Sequence, residues 1–159
     1  MEWLHAPWRM EYLAEKGTDR RWIFQEIIQS NEDEKNLVLI RSKSCLALLN
    51  KFPYSTAHAM IVPYRVIGKW TDLSEAEMID LMALSQRIVK AIQQEFKPEG
   101  MNLGVNLGAA AGAGIENHLH FHIVPRWLGD HNFMTVIGST RVHPNELSEV
   151  WQRLKKRLT

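Results

Sequence analysis

Residues 118–126 read His-Leu-His-Phe-His-Ile-Val-Pro-Arg, and this stretch decides which fold and which chemistry we expect of the chain. Its histidines alternate with apolar residues, a pattern typical of a β-strand, because residues two apart on a strand share a face. We therefore expect His118, His120 and His122 to line one face while the apolar residues between them enter the core. Three imidazoles on one face have no packing rationale, since burying an unpartnered polar group costs free energy. The stretch therefore predicts a functional site.

Two kinds of chemistry fit these histidines. In the first, the imidazoles bind zinc, which would need further ligands from His58, Asp130 or His131. In the second, one histidine is a nucleophile towards phosphorus and its neighbours bind the phosphate, since a neutral imidazole is a competent nucleophile. Residues 108–114 are all glycine or alanine. A loop almost without side chains can bring backbone N–H groups close to an anion, which favours the second interpretation. Taken alone, the segment would indicate only a flexible hairpin loop.

Composition indicates one ordinary globular domain. The chain has 159 residues, of which 45% are hydrophobic and 23% charged. Its 19 Lys and Arg against 18 Asp and Glu argue against a protein that coats nucleic acid. The single cysteine, Cys45, excludes a disulfide within the chain and a cysteine-rich zinc site. We expect a cytoplasmic protein without a membrane partner, because no stretch has the apolar character of a signal peptide or a membrane span.

Hydrophobic periodicity predicts an α+β domain whose sheet is mostly antiparallel. Ser74 followed by Glu77 fits a capping box at the start of a long helix, which the Lys-Pro-Glu-Gly stretch at 97–100 ends. The predicted strands are 37–40 and 45–49, which form a hairpin, then 59–62, 101–107 and 119–124, the last ended by Pro125. A short helix is predicted within 20–30 and a C-terminal helix within 143–159, and 1–19 form an N-terminal extension expected to pack on the domain.

Residues 118–126 resemble the signature of the histidine triad (HIT) family. Residues 50–58 resemble the family's ribose-binding segment, in which an Asn stands eight residues before a fourth histidine. Trp22 and Gln25 stand where many members carry two cysteines, so the resemblance implies no structural zinc. The resemblance is nearly continuous over residues 22–127. Residues 6–10 and 125–133 also resemble a bacterial branch of diadenosine tetraphosphate (Ap4A) phosphorylases, which split the dinucleotide with inorganic phosphate.

The resemblance implies a fold, an activity and an assembly. The fold is a half-barrel in which an antiparallel sheet of about five strands packs beside one long helix, as a single HIT domain over residues 1–159. The activity is cleavage of dinucleoside polyphosphates through a covalent nucleotidyl-histidine, by phosphorolysis or hydrolysis. A nucleoside phosphoramidate hydrolase and a nucleotide-binding regulator with little catalysis are the alternatives. A homodimer or higher homo-oligomer is expected, with no tightly bound cofactor, and with Mg²⁺ at most as a companion of the nucleotide.

Roles for four histidines follow from the same resemblance. His120, the middle member, would attack the α-phosphorus and carry the nucleotidyl group. His122 would bind the oxygens of the α-phosphate, and His118 would orient the site through hydrogen bonds to the backbone. His58 would lie close to the phosphate and support its charge.

Five further residues are expected to bind substrate. Asn50 would hold the ribose hydroxyls, and Asn106 would reach a phosphate oxygen, although it lies twelve residues before His118, one more than is common in the family. The backbone at Gly114 and Ile115 would bind the α-phosphate. These two stand where members often carry Ser or Gln, so a side-chain hydrogen bond to the leaving group is not expected there. Trp127 would contact the second nucleotide or pack on the surface.

Overall fold

Five β-strands and three α-helices make up the part of the chain that the computed structural model describes, residues 22–130 and 145–158. They are α1 (Ile23–Gln29), β1 (Val38–Arg41), β2 (Cys45–Leu49), β3 (Ala59–Pro63), α2 (Glu75–Phe96), β4 (Gly100–Val105), β5 (Phe121–Arg126) and α3 (Leu147–Leu158). Two short 3-10 turns lie at Trp70–Asp72 and Ala109–Ala111. The predicted short helix, hairpin, long helix and C-terminal helix are confirmed. The predicted N-terminal extension lies outside the described residues, as does His131.

The strands form one sheet in the order β1-β2-β3-β5-β4, and every neighbouring pair is antiparallel. The predicted α+β class with a five-stranded antiparallel sheet is therefore confirmed. His122 lies on β5 between Met60 of β3 and Gly104 of β4. Because residues directly opposite each other in a sheet share a face, these three residues lie on the same side.

The two faces of the sheet are covered differently. Helices α2 and α3 pack on one face, where Ile61 and Ile123 belong to the larger core cluster. On the other face, Phe24 of α1 packs with a smaller cluster that includes Met60. His122 shares this second face. Since α1 is only 7 residues long, it covers part of that face, and a cleft remains beside β4 and β5.

Helix α2 begins as its capping box predicts. The Ser74 side chain accepts a hydrogen bond from the backbone N–H of Glu77, and the Glu77 carboxylate accepts one from the backbone N–H of Ser74. The helix ends at Lys97, which is left-handed with φ of 47°. Within the described residues, no helix is long and apolar enough to cross a membrane.

Strand β5 differs from its predicted bounds, since it spans Phe121–Arg126 and not 119–124. Its start is delayed because the backbone N–H of Leu119 donates to the carbonyl of Ile67, 2.7 Å away, in a loop and not in the ladder. Its end passes through Pro125, which pairs with Met101 of β4. β3 pairs only with residues 121–123 of β5, so Pro125 has a strand on one side only, where a missing N–H is tolerated.

Candidate active site

Four histidines from two parts of the chain lie together and are buried. His58, His118, His120 and His122 are between 1% and 9% exposed. The ring of His122 lies 5.1 Å from that of His58 and 5.0 Å from that of His120, measured between centroids. His58 directly precedes β3, while the other three run from the preceding loop into β5. The pairing of β3 with β5 therefore brings together the residues that the sequence singled out.

His118 is fixed by a backbone carbonyl. Its Nε2 lies 2.8 Å from the carbonyl oxygen of Pro63. Because a carbonyl only accepts, Nε2 carries the proton, and Nδ1 has no hydrogen-bond partner among the described residues. Burial lowers the pKa of His118, so the ring is neutral at pH 7. The ring of Phe24 meets it edge-on, with centroids 5.6 Å apart. His118 thus contacts the backbone in the way expected of an orienting residue.

His120 presents an unprotonated nitrogen. Its Nδ1 lies 3.0 Å from the carbonyl oxygen of His118, so Nδ1 carries the proton and donates it. In a neutral imidazole the other nitrogen, Nε2, then holds the lone pair. Burial lowers the pKa of His120 from its ordinary value, which favours this neutral form. The arrangement supplies a nucleophile without a separate general base to deprotonate it.

A chain of hydrogen bonds fixes the proton of His122. The backbone N–H of Tyr54 donates to Nδ1 of His58 at 3.0 Å, and the side-chain amide of Asn50 lies 3.4 Å from the same nitrogen. Nδ1 of His58 is therefore an acceptor, and its Nε2–H donates to Nδ1 of His122 at 2.9 Å. His122 must then carry its own proton on Nε2. Burial and the neighbouring His120 lower the pKa of His122 to about 4.

The Nε2–H of His122 is a buried donor without a hydrogen-bond partner among the residues that the structure describes. An unpaired buried donor costs free energy unless something accepts its proton. His122 lines the cleft beside β4 and β5, which has a volume of about 360 Å³. The arrangement thus places a lone pair on His120 next to a hydrogen-bond donor on His122, and of these two residues His122 lines the cleft.

β4 lines the cleft next to β5. Gly104 lies directly across from His122, and a Cβ added there would meet nothing within 4 Å. Asn106 lines the cleft, as its expected contact with a phosphate oxygen requires. The ring of Tyr54, 45% exposed, lies 4.6 Å from that of His58 and also lines the cleft. No sequence signal gave Tyr54 or Gly104 a role of its own. The same holds for the other lining residues, which are Ser55, Asn102, Leu103, Val105, Val124 and Arg126.

Asn50 and Trp127 lie at the margins of this site. The side-chain oxygen of Asn50 accepts from the backbone N–H of Phe52 at 2.9 Å, so Asn50 also shapes its own loop. Trp127 is half-buried in a turn that its carbonyl closes with the N–H of Asp130, and it is not among the residues that line the cleft.

Several backbone N–H groups of the glycine- and alanine-rich loop, residues 108–114, already donate hydrogen bonds within the protein. The N–H groups of residues 111, 112 and 113 donate to carbonyls of residues 108 and 109. The N–H of Ala109 donates to the carboxylate of Glu116 at 3.1 Å. Gly114 is exposed, and Ile115 packs against the cluster around Phe24. The expected binding of phosphate by the backbone at Gly114 and Ile115 stays a prediction.

A zinc site is not assembled within residues 22–130 and 145–158. No group of three or more His, Cys, Asp or Glu side chains in these ranges is placed to hold a metal ion. Of the extra ligands considered, the carboxylate of Asp130 is bound by Arg126, and His131 lies outside the described ranges. At the positions of the family's two cysteines, Trp22 and Gln25 offer no thiolate.

Comparison with known proteins agrees with the family resemblance. The family model described as the HIT domain matches residues 31–128 of the sequence. The AP-4-A phosphorylase of Mycobacterium tuberculosis is 42% identical over 154 residues, covering 92% of this chain and 78% of that protein. The bis(5'-adenosyl)-triphosphatase of Dictyostelium discoideum is 30% identical over 89 residues, covering 56% and 59%. Among solved structures, a Zn-bound histidine triad family protein from Mycobacterium smegmatis superposes with a TM-score of 0.70 at 23% identity, covering 86% and 91%.

Proposed function

Because the chain belongs to the histidine triad family, we propose that it is an enzyme that cleaves dinucleoside polyphosphates of the Ap4A type through a nucleotidyl intermediate on His120. The observation that carries the proposal is the pair of fixed tautomers, a lone pair on Nε2 of His120 beside a proton on Nε2 of His122. The likeness to the mycobacterial AP-4-A phosphorylase over most of both chains supports the substrate class.

In the first step, Nε2 of His120 attacks the α-phosphorus and forms an N–P bond. The bond from that phosphorus to the bridging oxygen breaks, and the leaving nucleotide takes the electron pair; from Ap4A this nucleotide is ATP. The Nε2–H of His122 donates to an α-phosphate oxygen, whose charge is redistributed as the bonds exchange. The carbonyl of His118 accepts from Nδ1 of His120 throughout and so stabilises the positive charge on the substituted ring.

In the second step, an acceptor attacks the same phosphorus and the N–P bond breaks, which returns the lone pair to His120. Inorganic phosphate as the acceptor gives ADP, and water gives AMP and releases a proton. Both routes use the same intermediate, and we favour phosphate because the relative at 42% identity is a phosphorylase.

The family resemblance supports roles for the surrounding residues in this proposal. Asn50 binds the ribose, Asn106 and the backbone at Gly114 and Ile115 bind the α-phosphate, and Trp127 borders the second nucleotide. Mg²⁺ enters with the polyphosphate and not as a resident ion.

The product assay with purified protein tests this function. Ap4A incubated with phosphate should give ATP and ADP, and Ap4A in phosphate-free buffer should give ATP and AMP more slowly. His120→Ala should abolish both reactions while nucleotide binding persists. Normal turnover by that variant would remove the nucleophile assignment. Turnover confined to adenosine phosphoramidate would favour the phosphoramidate hydrolase, and tight AMP binding without turnover of any substrate would favour a regulator.

We also propose that the enzyme is a cytoplasmic homodimer that joins through β4 and α2. β4 is an outer strand of the sheet, and Leu103 on it is 52% exposed. On α2, Ile79 and Met82 are 63% and 51% exposed, which is unusual for large apolar side chains close together. Light scattering should give twice the chain mass for the native protein, and Ile79→Lys with Met82→Lys should shift it towards the monomer. The buried free thiol of Cys45 is consistent with a reducing compartment.

A further inference from the structure

The far end of the cleft holds a guanidinium in a fixed orientation. Nε and Nη2 of Arg126 donate to the two carboxylate oxygens of Asp130, at 2.6 and 3.0 Å. Nη1 donates to the side-chain oxygen of Asn102 at 3.2 Å. Arg126 and Asn102 both line the cleft. Nothing in the proposed chemistry at His120 uses this group.

Strand geometry places Arg126 along the path of an extended substrate. His122 and Arg126 are four residues apart on β5, so both lie on the open face of the sheet. At the usual rise of a strand their Cα atoms are about 13–14 Å apart. A polyphosphate with its α-phosphorus at the histidines must extend along the cleft to approach the guanidinium. Each added phosphate brings its end closer to Arg126.

We propose that Arg126 binds the distal phosphates of the leaving nucleotide and thereby favours a tetraphosphate over a triphosphate. This inference rests on the proposed function. A guanidinium is suited to the task because its planar donors match two oxygens of one phosphate. The other side chains that line the cleft carry no fixed charge, among them Asn102, Asn106 and Tyr54. The charge of Arg126 is therefore what distinguishes this end of the cleft for an anionic chain.

Asp130 has an opposing effect in this arrangement. Its carboxylate occupies the same donors that a phosphate would use, so the two anions compete for Arg126. Asp130 also accepts from the backbone N–H of Trp127 at 3.3 Å and holds the turn after β5. If Arg126 served only that turn, losing either partner of the ion pair would have the same effect. If Arg126 binds phosphate, the two losses have opposite effects.

The test compares three substrates: Ap4A, Ap3A and the p-nitrophenyl ester of AMP, whose leaving group has no further phosphate. For Arg126→Gln we expect kcat/KM for Ap4A to fall roughly tenfold, the lower end for a charge-assisted hydrogen bond. The lower end applies because the side chain is 39% exposed. Ap3A should lose less, and the ester should lose nothing. The KM for inorganic phosphate should not change, because the acceptor attacks at the α-phosphorus.

Asp130→Asn should lower KM for Ap4A, because it removes the competing carboxylate. Arg153→Gln is the matched control, since Arg153 is also paired with a carboxylate and 36% exposed, but it lies on α3. Thermal unfolding of each variant verifies folding. Equal losses on all three substrates for Arg126→Gln, or the same loss for Asp130→Asn as for Arg126→Gln, would overturn the inference and leave the proposed function standing. If the native protein turns over none of the three, the proposed function is wrong and the inference falls with it.

Discussion

Removing the donor on His58 should leave the proton of His122 without a fixed position. The hydrogen bond between His58 Nε2 and His122 Nδ1 is 2.9 Å long, and the two residues are only 1% and 9% exposed. In His58→Leu the Nδ1 of His122 becomes a buried acceptor without a partner, which costs about 1–3 kcal/mol. A proton on Nδ1 would make that nitrogen an unpartnered donor instead, so neither tautomer of His122 is fixed, and the molecules with the proton on Nδ1 cannot donate from Nε2 to the α-phosphate. We expect kcat to fall roughly 2- to 10-fold from the partial loss of this donor.

His58→Gln is the matched variant, because the side-chain amide of glutamine can place an N–H near the position of Nε2. It should recover part of the loss in kcat. Nitrogen-15 spectra of the imidazoles report the tautomers directly: His122 should be protonated on Nε2 in the native protein and in His58→Gln, and should show a mixture of both tautomers in His58→Leu. Because the interaction acts in the transition state, kcat and kcat/KM should fall together. A folded His58→Leu protein that keeps native kcat, or a Gln variant as impaired as the Leu variant, would refute the reasoning.

Three further predictions follow from the same geometry. Tyr54→Ala should expose His58 and His122 to water, because the Tyr54 ring packs against both. Since burial is the main cause of the lowered pKa of His122, the acidic limb of the pH profile of kcat/KM should move to higher pH. Tyr54→Phe keeps the ring and should leave the pH profile unchanged. Gly68→Ala should lower the free energy of unfolding in urea by about 1–3 kcal/mol and reduce turnover, because the added Cβ would lie 2.9 Å from the carbonyl oxygen of Glu116. In the control Gly100→Ala the nearest atom to the added Cβ is 3.9 Å away, so stability and turnover should both stay unchanged. Acidification should destabilise the native protein. The pKa of His122 is about 4 when folded against an ordinary value of 6.5, so the unfolded chain binds the extra proton between these values. His122 therefore contributes about 3 kcal/mol of stability that is lost as pH falls through that range, and its own effect is complete below it. Unfolding curves that do not change between pH 7 and pH 4 would contradict this.

The parts of the fold that the sequence could predict are those with local signals. The long helix α2 follows from a capping box and an apolar period, both of which lie within a few residues of each other. The bounds of β5 were wrong because they depend on distant partners. Ile67 accepts the N–H of Leu119, and β3 stops short of Pro125. Neither contact is visible in the local sequence, so the sequence predicts that β5 ends at Pro125 although the strand continues past it.

The same error hid part of the cleft. Alternation from His122 places Arg126 on the open face once β5 is known to pass through Pro125, so the signal was present and was cut off by the predicted end. Gly104 had no such signal, because its place opposite His122 depends on the register between β4 and β5. The sequence suggests His58 only as one of several further zinc ligands, and its place beside the phosphate site follows from the family resemblance, since His58 and His122 are 64 positions apart.

Backbone groups and side chains have different functions in this site. The protons of His118 and His120 are fixed by main-chain carbonyls, those of Pro63 and His118, whereas the proton of His122 is fixed through the side chain of His58, whose Nδ1 accepts from the N–H of Tyr54. Substitution cannot remove the main-chain carbonyls while the fold is kept, so the tautomer of the nucleophile persists whatever side chains line the cleft. The cleft wall is different, because Asn102 and Arg126 contribute through their side chains. One chemistry can therefore serve polyphosphates of different lengths, with the choice among them made along β4 and β5 and not at the histidines.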